Sequence, residues 1–282
     1  MDPFEAAIEL SPRRYEEALR EQAAFFPEEL RLRVGRAPSL LYGGEEHFLR
    51  TDAIEERDLV RVLEKATGAS LYSAAEAMRR GCFCAGALRI GVCGSMTAGG
   101  SGSGFSAYSS LCIRLAREHR GVCDGVADKL CTGEFENTLI VAPPGGGKTT
   151  ALRELVRLLA ERGRRVGVID ERGELAGGGF DLGRCSDAIC GCDKLSGALL
   201  LLRSMDPQII ASDEISAPAD LLAIEEIFGC GVGILASAHA SCREDLLRRR
   251  AYRRLIEKGV FSYFLVIRQQ NGKRSLHLEE IA

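Results

Sequence analysis

The sequence predicts an α/β fold, with a mostly parallel sheet in the second half of the chain and a smaller α+β domain before it. Two observations indicate this. First, short apolar runs alternate with helical patterns from about residue 138 to 267, which is typical of a parallel sheet covered by helices on both faces. Second, the 282 residues are enough for two ordinary domains, each with its own core.

A polar segment at 132–137 divides the chain into the predicted domains 1–133 and 134–282. In the first domain we predict helices at 11–26, 55–67 and 72–80, and strands at 87–92 and 111–115 on either side of a glycine-rich loop, 96–106. Ser11 and Pro12 are residue types that begin a helix. In the second domain we expect strands at 138–141, 165–169, 209–211, 232–237 and 261–267, and helices at 148–162, 217–228 and 241–258.

Composition excludes several classes of protein. With 27% charged and 46% hydrophobic residues, the chain has the balance of a soluble globular protein. A formal net charge of only −3 argues against a nucleic-acid coat protein, so no direct nucleic-acid partner is expected. No apolar run approaches the roughly 20 residues of a spanning helix. The N-terminal residues are charged throughout and contain no apolar signal region, so we expect a cytoplasmic protein.

The eleven cysteines are expected to be free thiols. Their number is odd and several lie in apolar segments, and a reducing compartment keeps thiols reduced. Neither Cys82 with Cys84 nor the group of Cys185, Cys190 and Cys192 has the paired C-x2-C spacing of a zinc site. No structural metal is therefore expected.

The strongest chemical signal is a strand, a glycine-rich turn and a helix in the segment TLIVAPPGGGKTTALRELVRLLAERG. Glycines in such a P-loop let backbone N–H groups converge on phosphates, and the helix N-terminus adds its positive dipole end. Lys148 would reach the β- and γ-phosphates, and the Thr149 hydroxyl would bind Mg²⁺. Ala142 departs from the pattern, which usually has a glycine there. The candidate nucleotide-binding residues are Pro144, Gly145, Gly146, Gly147, Lys148, Thr149 and Thr150.

Acidic residues follow two further apolar runs. Asp213 and Glu214 come directly after one of them, at the end of a strand where ligands meet a parallel sheet. Asp213 could hold Mg²⁺, and Glu214 could orient and deprotonate an attacking water. Asp170 and Glu171 follow the strand at 165–169; a helix cap or an ordinary surface loop is the alternative interpretation of this second cluster. His239 lies at the end of the next apolar segment, GILASAH, which extends the predicted strand at 232–237. Residues that sense the γ-phosphate are found at the end of this strand.

In this order, the P-loop, the acidic cluster, the DE pair and the histidine resemble the type II and type IV secretion ATPases. Within that superfamily, the segments PPGGGKTTALRE, VIDERGEL, RSMDPQIIASDEI and SSLCIRLAREHRGV are similar to the stage III sporulation protein AA family. The resemblance implies a RecA-like P-loop ATPase domain behind the α+β domain, with ATP and Mg²⁺ as its ligands. The segment CFCAGALRIGVCG departs from the family in lacking a histidine before the arginine, which leaves partner contacts through that region open.

The resemblance also implies roles for particular residues and for partners. Glu214 would be the catalytic glutamate, and His239, the histidine box, would also take part in catalysis. Asp170 and Glu171 would form the acidic box, in which Asp170 binds Mg²⁺ and Glu171 has a catalytic role. Arg114 or Arg117 would reach the nucleotide from the first domain. The chain would form a homo-oligomeric ring, expected to be a hexamer, that is recruited to the inner face of a membrane by a membrane protein of an export or sporulation channel.

Alternatives remain open at this point. A P-loop kinase is disfavoured because no arginine-rich lid follows the P-loop, whereas a nucleotide-switched scaffold differs from a motor only in its turnover. The basic run 248–254 fits a solvated helix face, a subunit interface or a nucleic-acid contact.

Overall fold

The structure, a computed structural model, describes residues 2–68, 81–86, 88–96, 105–115, 118–131, 133–177, 179–270 and 273–281. The predicted helix at 72–80, most of the glycine-rich loop and Arg117 lie outside these residues. The chain forms two compact units, Met1–Arg117 and Glu118–Ala282.

The first unit contains an antiparallel sheet. Its strands are β1 (Glu29–Arg33), β2 (Ser39–Tyr42), β3 (Glu45–Phe48), β4 (Cys82–Ala85), β5 (Leu88–Met96) and β6 (Phe105–Leu115), in the order β3-β2-β1-β6-β5-β4. The helices are α1 (Pro3–Leu10), α2 (Glu16–Arg20) and α3 (Glu56–Ala66), with single 3₁₀ turns at Arg13–Tyr15 and Ala23–Phe25. Strand β1 alternates, with Leu30 and Leu32 fully buried between partly exposed neighbours, as expected for a sheet with one face in the core.

The second unit is built on a sheet whose strands are mostly parallel. They are β7 (Thr138–Ala142), β8 (Val166–Asp170), β9 (Ser186–Cys190), β10 (Ile209–Glu214), β11 (Gly233–His239), β12 (Tyr263–Gln270) and β13 (Lys273–Glu280), in the order β13-β12-β7-β11-β10-β8-β9. The pairing of β12 with β13 is antiparallel, and the other pairs are parallel. Strands β7 and β8 are buried along their whole length.

Helices cover both faces of this sheet. On one face lie α4 (Asp124–Leu130) and α5 (Lys148–Glu161), packed into a core with Ile140, Val168 and Ala211. The other face carries α6 (Lys194–Ser204), α7 (Pro218–Gly229), α8 (Arg243–Arg248) and α9 (Arg250–Glu257). Among the described residues, no helix is both long and apolar enough to cross a membrane.

The division between the units falls earlier than the predicted boundary between residues 133 and 134. Helix α4 explains the difference, because Ala127 and Leu130 are fully buried in the core that α5 shares with the parallel sheet. The polar segment at 132–137 therefore connects two elements of one unit.

Two predicted helices are wrong in their extent. Ser11 does not begin a helix but follows the end of α1, whose first turn is capped by Asp2 through a hydrogen bond from the Phe4 N–H at 2.7 Å. The predicted helix at 11–26 is instead α2 with a 3₁₀ turn on either side. The predicted helix at 241–258 is interrupted at Arg249, whose backbone is extended. In a continuous helix Leu246 and Leu255 would lie on opposite sides, since each residue turns by about 100°. The interruption allows both to be buried.

Candidate nucleotide-binding site

The glycine-rich turn between β7 and α5 has the backbone geometry of a phosphate-binding loop. Gly145 and Gly147 have positive φ angles of 70° and 96°, a conformation that favours glycine. At Gly146 a Cβ atom would lie 2.8 Å from the Cβ of Ala142 and from the carbonyl oxygen of Pro143. The methyl group of Ala142, which stands where a glycine is usual, thus fills the space that a side chain at residue 146 would need.

The loop opens into a cavity of about 440 Å³ at the N-terminus of α5, a volume in the range of small-molecule sites. The first N–H groups of a helix have no partner within the helix, so they and the helix dipole favour an anion at this end. Most of the predicted residues meet at the cavity wall, which is lined by Pro144, Gly145, Gly147, Lys148, Thr149, Thr150, Leu152, Arg172, Glu174, Leu175, Lys194, Asp213, Glu214, Ser237, His239 and Arg274.

Lys148, His239 and Glu214 form a continuous row of contacts. The Lys148 ammonium lies 2.6 Å from Nδ1 of His239, and Nε2 of His239 lies 2.7 Å from a carboxylate oxygen of Glu214. Because an ammonium can only donate, Nδ1 accepts a hydrogen bond from Lys148, and the protonated Nε2 donates a hydrogen bond to Glu214. Burial lowers the pKa of Lys148, although the charges of Glu214 and Glu174 oppose this effect. The row therefore joins the P-loop lysine to the predicted catalytic glutamate through one imidazole.

Asp213 is held by a lysine that the sequence analysis did not select. Its carboxylate lies 2.9 Å from the Lys194 ammonium, whose side chain is only 4% exposed. Burial raises the pKa of Asp213 to about 6, and the hydrogen bond and charge of Lys194 limit this rise. Burial also lowers the pKa of Lys194, but its hydrogen bonds to Glu171 and Asp213 more than offset this, so the pKa is raised.

Asp170 organises the acidic loop from within. It is fully buried at the end of β8, and its carboxylate accepts backbone N–H bonds from Glu174 at 2.8 Å, Leu175 at 3.0 Å and Ala176 at 2.7 Å. These hydrogen bonds engage both oxygens of the carboxylate with the backbone of the acidic loop. This geometry differs from the metal-binding role predicted for Asp170 and resembles the cap-like alternative.

Glu171 and Arg114 also contact other partners. The Glu171 carboxylate lies 2.8 Å from the Lys194 ammonium, and neither it nor Asp170 is among the described residues that line the cavity. Arg114 lies on β6 of the first unit, where its guanidinium is 3.2 Å from Glu29. The predicted role of Arg114 at the nucleotide stays a prediction.

Arg274 is a further residue that the sequence analysis missed. Its guanidinium donates to the carbonyl oxygen of Gly145 at 3.3 Å, and its side chain would lie 3.5 Å from a Cβ atom at Gly147. Strand β13, which carries it, was not predicted, and a lone arginine in an alternating polar segment gives no signal of this contact.

The residues present fit Mg²⁺ bound together with phosphates. Among the described residues, no three histidine, cysteine, aspartate or glutamate side chains are grouped so that they could hold a metal ion. Mg²⁺ usually takes one or two protein ligands and completes its shell with phosphate oxygens and water. Thr149 and Asp213, which both line the cavity, are the candidates to supply those ligands.

Comparison with known proteins identifies relatives over most of the chain. The family model "Sporulation stage III, protein AA" matches residues 15–277. Stage III sporulation protein AA of Bacillus subtilis (strain 168) is 31% identical over 257 residues, which are 87% of this chain and 83% of that protein. Solved structures with a similar fold include the Legionella pneumophila ATPase DotB, with a TM-score of 0.65 and 12% identity over 95% of this chain and 81% of that chain.

The pilus retraction motor PilT, solved with bound ADP, has a TM-score of 0.66 and 15% identity over 93% of this chain and 81% of that chain. At these identities the likeness shows the fold alone, which is the RecA-like ATPase fold with a smaller N-terminal α+β domain, as predicted. Because the family model covers nearly the whole chain, the protein belongs to the sporulation stage III protein AA family.

Proposed function

We propose that this protein is an ATPase that binds ATP with Mg²⁺ in the cavity at the P-loop. The observation that carries this proposal is the row from Lys148 through His239 to Glu214 along one cavity wall. It brings together a phosphate-binding cation and a carboxylate that can act as a base, which are the groups that phosphoryl transfer to water requires.

Phosphate groups would bind at the glycine-rich turn. The N-terminus of α5 and the Lys148 ammonium favour an anion there, and phosphate oxygens would replace His239 as the partner of Lys148. Arg274, which already contacts the carbonyl oxygen of Gly145, would add a second positive charge to this side of the cavity. The negative charge of the bound phosphates would thus oppose the effect of burial, which lowers the pKa of Lys148.

Glu214 is the proposed general base. Its side chain is 27% exposed, so water can reach it, and His239 fixes its orientation through the hydrogen bond to Nε2. Thr149 and Asp213 would hold Mg²⁺, which neutralises phosphate charge when it is bound. Glu171, whose carboxylate pairs with the Lys194 ammonium, would support the site without contacting the reacting atoms.

The setting we propose is a ring motor in endospore formation. Family membership supports the sporulation role, and the fold shared with the pilus retraction motor PilT supports a motor. The protein would form a homo-oligomer, in our proposal a hexamer, in the cytoplasm. A membrane protein of a sporulation channel would recruit it to the inner face of the membrane.

The test measures ATP binding and turnover separately. In isothermal titration calorimetry, Lys148→Ala should bind ATP much more weakly, because the charge-assisted contact of its ammonium with the phosphates is lost. Lys258→Ala, which removes an exposed lysine on the surface of the same unit, should bind like the wild type. Wild-type affinity in Lys148→Ala would contradict the P-loop assignment.

Turnover and mass decide between the motor and its alternatives. We expect steady ATP hydrolysis and a ring that forms with ATP and Mg²⁺ in light scattering after size-exclusion chromatography. Binding without turnover would instead indicate a nucleotide-switched scaffold. A monomer under all conditions would contradict the ring and favour the scaffold or a kinase.

A further inference from the structure

Arg172 is an exposed arginine of the acidic loop, residues 171–177, and it lines the nucleotide cavity. Among the described residues, the lysines and arginines that line this cavity are Lys148, Arg172, Lys194 and Arg274. Three of them hydrogen-bond or pair with other protein groups. Within the part of the chain that the structure describes, Arg172 has no such partner. Its guanidinium is therefore available to a ligand in the cavity.

The acidic loop that carries this arginine is held from two sides. From within, the Asp170 carboxylate accepts N–H groups of the loop. From helix α5, the Arg153 guanidinium donates hydrogen bonds to the carbonyl oxygens of Glu174 at 2.7 Å and Leu175 at 3.2 Å. The same guanidinium lies over the ring of Phe180, 3.3 Å from its centroid, in a cation–π contact that stabilises its position. The loop is thus fixed to the helix that begins at the P-loop lysine.

Sheet order places Arg172 on the side of the cavity where the proposed general base lies. Strand β10 carries Glu214, and β8 is its neighbour on the side away from β11 and the P-loop strand β7. Since β8 ends at Asp170, Arg172 and Glu214 lie at the carboxyl ends of adjacent parallel strands. A base that activates water for hydrolysis must lie near the γ-phosphate. Arg172 is therefore at the γ-phosphate end of the cavity, whereas Arg274 contacts the turn at Gly145.

We infer that Arg172 binds the γ-phosphate of ATP, and that Arg153 is a positioning residue that holds the acidic loop for this contact. The inference rests on the proposed function and adds to it a cation that distinguishes a nucleoside triphosphate from a diphosphate. A guanidinium donates through a planar fork, which can bind two phosphate oxygens at once. Such a contact requires a defined orientation, and the bonds from Arg153 to the loop backbone supply it.

The test compares ADP with the β,γ-imido analogue of ATP, which is not hydrolysed, in isothermal titration calorimetry with Mg²⁺. Arg172→Ala should bind the analogue at least about tenfold more weakly and ADP within about twofold of the wild type, because only the analogue loses a charge-assisted hydrogen bond. Arg172→Lys, which keeps the charge without the fork, should lose less. Arg203→Ala, which removes an exposed arginine of α6, should bind both nucleotides like the wild type.

Arg153→Met tests the positioning role. It removes the two donors to the loop, so it should weaken binding of the analogue and leave ADP binding in place. Adding Arg172→Ala should change the analogue affinity by less than about twofold, because both changes remove the same phosphate contact. An arginine with a purely structural role would lower the Tm and weaken both nucleotides equally. If Arg153→Met does not fold in circular dichroism, Arg172→Ala still decides the phosphate contact, since Arg172 is exposed.

Several results would overturn the inference. An unchanged ratio of the two affinities in Arg172→Ala would do so, and so would an equal loss of both nucleotides. Full additivity of Arg153→Met and Arg172→Ala would refute the positioning role. In these cases binding of both nucleotides by the wild type would leave the proposed function intact. A wild-type protein that binds neither nucleotide would contradict the proposed function, and this inference with it.

Discussion

Replacing Asp170 should destabilise the second unit rather than remove a metal ligand. Its carboxylate is fully buried and accepts three backbone N–H groups at 3.0 Å or less, from Glu174, Leu175 and Ala176. These bonds fold the acidic loop back onto the end of β8. In Asp170→Ala these three donors and the Gly177 N–H, which contacts the carboxylate at a longer 3.4 Å, lose their partner. The loop must then either open to water or keep them unsatisfied.

The structure sets the size of this effect. A buried donor without a partner costs about 1–3 kcal/mol, and of these donors only the Leu175 N–H is fully buried together with the carboxylate. Three donors, two of them partly hydrated after the change, give a loss of about 3 kcal/mol in the free energy of unfolding. Asp170→Asn retains one acceptor oxygen and should lose about 2 kcal/mol, which is the range for one hydrogen bond to a charged group.

Urea unfolding followed by circular dichroism measures these losses. Asp187→Ala is the matched control, because it removes an exposed aspartate from the neighbouring strand β9 and should change the free energy of unfolding by less than about 0.5 kcal/mol. Suppose instead that Asp170→Ala unfolds at the wild-type urea concentration while Mg²⁺ affinity in the presence of ATP falls tenfold or more. Asp170 would then be a metal ligand, and our interpretation of the acidic loop would be wrong.

Three other changes test the site and the core. Glu214→Gln should still bind ATP, while its rate of hydrolysis falls about 10²-fold or more, the scale of a lost general base. Glu171 pairs with Lys194, so Glu171→Gln should reduce the rate of hydrolysis less. The control Glu226→Gln, on the exposed side of α7, should hydrolyse ATP at the wild-type rate. Gly146→Ala should weaken ATP binding at least about tenfold in calorimetry, because a Cβ 2.8 Å from Ala142 forces the loop to shift at a cost of about 1–3 kcal/mol; wild-type affinity would contradict the proposed loop geometry. Burial raises the pKa of Cys123 to about 12, whereas an unfolded cysteine ionises near pH 8.5, so the unfolded state loses its proton first and stability should fall as pH rises above about 8.5. That fall should be smaller in Cys123→Ala, as urea unfolding between pH 7 and 10 would show; equal slopes would place the titration elsewhere.

Features that depend on local sequence could be predicted well. The P-loop is one contiguous segment, so its strand, its turn and its helix follow from spacing, and α5 begins at Lys148 as expected. Helix α3 is another such case, since the predicted span 55–67 contains its observed limits, Glu56–Ala66. In both, the residues that decide the structure are close together in the chain.

Features that depend on distant residues could not be predicted. Lys194 follows a helix cap, and nothing near it in the sequence indicates that carboxylates from the acidic loop, β10 and α7 surround its ammonium. Arg274 reaches Gly145 across 129 residues of chain. The sequence pattern also left two readings of Asp170 open, and only the positions of the loop N–H groups favour the cap-like one.

The row from Lys148 to Glu214 shows how sheet topology builds chemistry from separated motifs. Along the chain the P-loop comes first, Glu214 later and His239 last, but β11 lies between β7 and β10 in the sheet. His239 pairs in register with Ala142, the last residue of β7, and Glu214 pairs with Ser237 beyond a register shift after Ser212. The histidine is therefore placed between the P-loop and the glutamate by strand order. Both of its ring nitrogens are engaged, so one imidazole contacts the P-loop lysine and the proposed general base at the same time.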